Sequence, residues 1–100
     1  MIGAMLLLSG CATVQFGHDF DIGTFDAKVE RNVTTRADVK MWLGAPSSRG
    51  HSVTANGKRY EKWGYYYGKG KLPKLGNATL KILEVEFDPQ GVVQSYNWSE

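Results

Sequence analysis

Side chains able to do chemistry are sparse along this 100-residue chain, and their spacing limits what they could do. Cys11 is the only thiol, so no disulfide can close within one chain. A thiolate nucleophile there would need a base brought to it by the fold. His18 stands beside Asp19 and Asp21, which have suitable atoms for a metal ion, but no further ligand follows at fitting spacing. His51 is alone near a turn sequence. Glu84 and Glu86 share one side of a strand as an acid pair would, and alternating acids are equally the ordinary solvated side of a strand. Lys69-Gly70-Lys71 has glycine and charge without the spacing of a phosphate loop. Spacing sets up no nucleophile with its base, so the expectation is a protein that is not an enzyme and uses no metal.

The residues around Cys11 offer a different chemistry. Met1 to Leu8 is nearly all apolar, and Leu8-Ser9-Gly10-Cys11 follows at once. Such a run is too short to cross a bilayer as a helix, which takes about 20 residues. It fits the apolar region of a secretory signal, with small residues before the cleavage point. Leu8, Ser9, Gly10 and Cys11 resemble the lipobox of bacterial lipoproteins. That resemblance implies cleavage before Cys11, diacylglycerol on its sulfur, and acylation of the new amino terminus. The covalent lipid is then the only non-protein group expected. The competing reading is a buried free cysteine after an apolar strand, but nothing from Ala12 onward is patterned to bury one. No basic residue precedes Cys11, so the true start is expected upstream of this numbering. Ala12, in place of the aspartate that resembles an inner-membrane retention signal, implies transport to the outer membrane. Each buried methylene contributes about 0.8 kcal/mol, so two or more chains hold a protein to a bilayer durably.

Composition allows one globular domain: 42% of residues are apolar, 22% are charged, and the net charge is +2. That charge is too weak to imply nucleic acid. Its distribution is uneven. From Arg49 to Lys81 there are eight basic residues against one acid, Glu61, while the remainder carries four basic and nine acidic residues. Such a segment suits anionic headgroups or an acidic partner. It equally suits solvated strand edges on which lysine blocks unwanted pairing.

Three segments are expected: residues 1–10 as signal peptide, 11–23 as lipidated tether, and 24–100 as the folded domain. Phe25, Val29 and Val33 lie on one helical stripe, placing a short helix over 24–31, with Thr24 and Asp26 near its cap. Thr35 and Asp38 form a capping-box variant, Val39, Trp42 and Leu43 form the apolar stripe, and Gly44 and Pro46 end the helix begun at Arg36. Residues 48–54 should pair with 59–67 across Asn56-Gly57. Trp63, Tyr65 and Tyr67 then share one face, and Lys62, Gly64 and Tyr66 the other. Residues 68–77 read as a glycine and lysine loop, and 79–87 as a strand with Leu83, Val85 and Phe87 inward. Leu80 and Ile82 break that alternation, predicting a bulge or a face covered on both sides. Asp88-Pro89-Gln90-Gly91 is a turn by composition, and 92–98 is the closing strand. The expected fold class is α+β, with two short helices packed on one face of a three- to four-stranded antiparallel sheet.

The lipobox, the threonine-rich cap before a short helix, Leu43-Gly44-Ala45-Pro46, the alternating Trp and Tyr, and the Val85-to-Val93 hairpin together resemble the SmpA/OmlA family, to which BamE belongs. The similarity covers residues 25–98. It implies an outer-membrane lipoprotein on the periplasmic face that assists β-barrel assembly or envelope integrity. Partners are then outer-membrane lipid and the β-barrel assembly complex. As such an adaptor, its contacts are expected at Tyr66, Lys69, Lys71 and Lys74, since exposed rings and cations suit them, while Tyr65 and Tyr67 point inward. The alternative is an inhibitor or ligand-binding lipoprotein of the same fold, which would leave a concave aromatic sheet face open.

Overall fold

A computed structural model describes residues 13–71 and 78–100. The signal peptide, the lipobox residues Leu8, Ser9 and Gly10, the lipidation residue Cys11, and Lys74 lie outside the described residues. In chain order come β1 (Thr13–Gly17), α1 (Ile22–Lys28), α2 (Arg36–Leu43), β2 (Ser48–Val53), β3 (Arg59–Lys71), β4 (Thr79–Phe87) and β5 (Val93–Ser99). All strand pairings are antiparallel and the class is α+β, but the sheet has five strands rather than three or four.

The additional strand comes from the segment expected to be tether. β1 pairs with the far end of β3, Thr13 opposite Lys71 and Gly17 opposite Tyr67. β3 accordingly runs on to Lys71, through residues expected to be loop. β2 pairs with the near end of the same edge, Ser48 opposite Gly64 and Val53 opposite Arg59. Thus β1 and β2 lie end to end along one side of β3, and β4 lies along the other. Between them Ser47 closes the gap: its N–H donates to the Gly64 carbonyl at 2.8 Å and its hydroxyl accepts from the Tyr66 N–H at 3.2 Å.

Local signals explain most element ends. Thr35 and Asp38 form the reciprocal capping box at the start of α2, and Gly44 ends that helix at φ 82°. At α1 the cap is Asp21, whose carboxylate accepts from the Thr24 N–H, so the helix starts earlier than Thr24 and stops at Lys28. Val33 falls beyond it and is exposed rather than on a helical stripe. Gly57, at φ 82°, turns the β2–β3 hairpin, and the 88–91 turn closes with the Gly91 N–H donating to the Asp88 carbonyl.

The core gathers Phe20 and Ile22, Phe25 of α1, Val39 of α2, Trp63, Tyr65 and Tyr67 of β3, and Leu83, Val85 and Phe87 of β4. Phe20 meets Tyr65 at 5.7 Å between ring centroids, Trp63 meets Phe87 edge-on at 4.8 Å, and Phe25 meets Tyr96 edge-on at 5.3 Å. Phe20 and Ile22 belong to the segment expected as tether, and both are buried. Arg36 binds α2 to the sheet. Its Nε donates to Glu61, and its guanidinium lies 5.8 Å from the centre of the Phe87 ring.

Candidate functional site

The two sides of β3 differ in kind. Trp63, Tyr65 and Tyr67 are buried on one face, which is therefore not the open aromatic surface that a ligand-binding reading requires. The Tyr65 hydroxyl donates to the Gly44 carbonyl at 2.8 Å, and burial pushes its pKa up to about 12. Tyr66 takes the opposite face and is half-buried.

The opposite face divides along its length. Toward the β2 hairpin it is polar: Lys62 stands opposite Glu86, which accepts from the hydroxyls of Ser52 and Ser95 at 3.3 and 3.4 Å. Glu84 sits opposite Asn97 of β5. Glu84 and Glu86 thus belong to the solvated side of a strand. Toward β1 the same face becomes apolar. Val14 lies opposite Gly70, Phe16 opposite Gly68, Leu80 opposite Gly68 from the other side, and Ile82 opposite Tyr66. Val14, Phe16 and Leu80 are 44%, 55% and 51% exposed.

Glycine builds this surface. A Cβ on Gly68 would lie 2.1 Å from Phe16 Cε1, so the ring occupies the space that a side chain would take. Gly64 plays the same part for Tyr66, whose phenol lies across it within 3.1 Å of the Ser48 hydroxyl. Rings lie on backbone here, and their outer sides face solvent. Gly17 fixes where β1 leaves the sheet. Its φ is +74°, and a Cβ there would meet the Tyr66 carbonyl oxygen at 2.0 Å.

Lys69 and Lys71 are exposed at the same end of β3, opposite Gln15 and Thr13. The structure therefore places Tyr66, Lys69 and Lys71 toward one end of the sheet, with Tyr66 on the outer face and the two lysines on the opposite one by strand alternation. No protein-family model, curated protein or solved structure matches this chain. Its site must be read from its own geometry. Val14, Phe16, Leu80 and Ile82 were not among the expected contact residues. The signal for two of them was present in the broken alternation at Leu80 and Ile82. β4 is unbulged against β3, so those two side chains sit on the far face beside Phe16.

Elsewhere two ion pairs tie charged groups together among the described residues, Lys81 with Asp19 and Arg36 with Glu61. Lys81 donates to Asp19 at 2.8 Å, which raises the lysine pKa and lowers that of Asp19. These two line a depression of about 430 Å³ with Phe20 and Asp21. Burial opposes the charge on Glu61, but hydrogen bonds from the Trp63 indole and Arg36 outweigh it and hold its pKa below the usual value. His18 and His51 are both exposed. Among the described residues no group of three or more His, Cys, Asp or Glu could hold a metal ion.

Proposed function

We propose that this chain is a lipid-anchored periplasmic adaptor of the outer membrane, attached through Cys11 and serving outer-membrane protein assembly or envelope integrity without chemistry of its own. The observation that carries the reading is Leu8-Ser9-Gly10-Cys11, placed two residues before the first residue of β1. That placement carries the physical content of the reading: the lipid would hold the folded unit at the headgroups, with no long tether between. Restriction to a surface raises effective concentration toward membrane-embedded partners, which suits an adaptor. On this reading the two short helices lie over the Trp63, Tyr65 and Tyr67 face, which the burial of Phe25 and Val39 in one core with those rings supports. That leaves Tyr66, Lys69 and Lys71 for contacts, with Lys74 beyond the described residues.

The test is mass spectrometry with fractionation of cells carrying the wild type or Cys11→Ala. The expected result is an acylated Cys11 and wild-type protein in the outer membrane, with the variant lost from it. An unmodified thiol still joined to residues 1–10 would overturn the reading. Pull-down of the lipidated protein should recover components of the β-barrel assembly complex, and their absence would remove that partner.

A further inference from the structure

We propose that the apolar end of the outer sheet face, formed by Val14, Phe16, Tyr66, Leu80 and Ile82, rests on the bilayer surface and fixes the orientation of the domain. The inference rests on the anchored reading above and names what its contact surface touches: the headgroup layer of a membrane containing anionic lipid.

Three observations place it there. Thr13 is two residues from Cys11, and consecutive Cα atoms are about 3.8 Å apart, so the start of β1 stays within about 8 Å of the anchored residue. Val14 and Phe16 are the next residues to present side chains on the outer face, and both are largely exposed. An anchor so close to one end of the sheet brings that end, rather than the β2 hairpin, to the membrane. The second observation is composition. Phe and Tyr rings lying across glycine backbone, flanked by Val, Leu and Ile, form a low apolar surface suited to the headgroup and acyl boundary. The third is charge. The acids of the outer face, Glu84 and Glu86, lie toward its other end, while Lys69 and Lys71 are exposed at this end, on the opposite face by strand alternation. Among the described residues, the opposite end of β3 has no like arrangement; Val53, an exposed apolar residue there, lies on the other face about 35 Å from Val14 along the strand.

The test uses lipidated full-length protein in nanodiscs of phosphatidylethanolamine with a minor share of phosphatidylglycerol, containing a lipid whose headgroup carries gadolinium. Methyl NMR then compares Val14, Leu80 and Ile82 with Val53, and mass spectrometry reports acylation of the same sample. The expected result is broadening of the first three methyls with Val53 sharp. Phe16→Ser with Leu80→Ser should cut the broadening at Val14 and Ile82 by about half or more, while acylation and the Leu83 and Val85 signals persist. Acylated protein with equal broadening at Val53, or with none at Leu80 and Ile82, would overturn the orientation and leave the anchor standing. Protein without acyl chains would overturn both.

Discussion

β3 shows two ways of holding aromatic rings. On its inner face Trp63, Tyr65 and Tyr67 are fixed by neighbours on every side, and Phe87 meets Trp63 edge-on. On its outer face Phe16 and Tyr66 lie flat because Gly68 and Gly64 have no side chains to lift them. The first arrangement stabilises by removing apolar area from water, and the second by little beyond contact with backbone. A ring can therefore be abundant in both places while stability depends on only one. The outer rings are left free to meet something else.

Substitutions can break that contrast. Phe87 is fully buried, so Phe87→Ala should cost about 3–5 kcal/mol in denaturant unfolding, near the whole stability of so small a domain. Gly17→Ala should follow, costing more than about 1 kcal/mol, since its positive φ strains any side chain and the Tyr66 backbone cannot yield. Loss of amide protection confined to Thr13–Gly17 would show that the cost is local to β1. If Gly17→Ala unfolds no more readily than the wild type, the account of β1 fails.

Two titrations sharpen the inner side. The folded pKa of Glu61 lies below its ordinary value of 4.5, so this group's stabilisation is present above that pH and is lost as pH falls through the folded value. Glu61→Gln should flatten the acid limb of a stability curve. Tyr65 works at the other extreme. Its pKa rises from 10.0 to about 12, so the unfolded chain loses its proton first and stability declines as pH climbs between those values. Tyrosinate absorbance should show a late-titrating component that Tyr65→Phe removes. The smallest effect belongs to the outer face. Phe16→Ala should cost no more than about 1 kcal/mol by thermal unfolding, because over half of the ring is already exposed. A cost equal to that of Phe87→Ala would erase the distinction between the faces.

Local chemistry made much of this legible in the sequence. Thr35, Asp38 and Gly44 mark both ends of α2 because capping is decided by neighbours in the chain. Asn56-Gly57 and Asp88 to Gly91 mark two turns for the same reason. The inward set of β3 and β4 follows from strict alternation. Pairing of β1 was illegible. Its five residues alternate weakly, all are exposed, and the strand exists only because β3 offers an edge some fifty positions away. Missing that strand also hid the outer apolar surface, since Leu80 and Ile82 gain their neighbour Phe16 only once β1 is in place. Asp21 was overlooked as a cap because Phe20 and Ile22 look unremarkable in sequence, although both are buried.

Because β1 and β2 occupy one edge of β3 in succession rather than side by side, they form separate zippers of five and six residue pairs. Tension applied at the amino terminus meets the shorter zipper before any other. β1 can give way there while the hairpin and the turn at Asp88 stay closed, so the fold carries a mechanical fuse at its first strand.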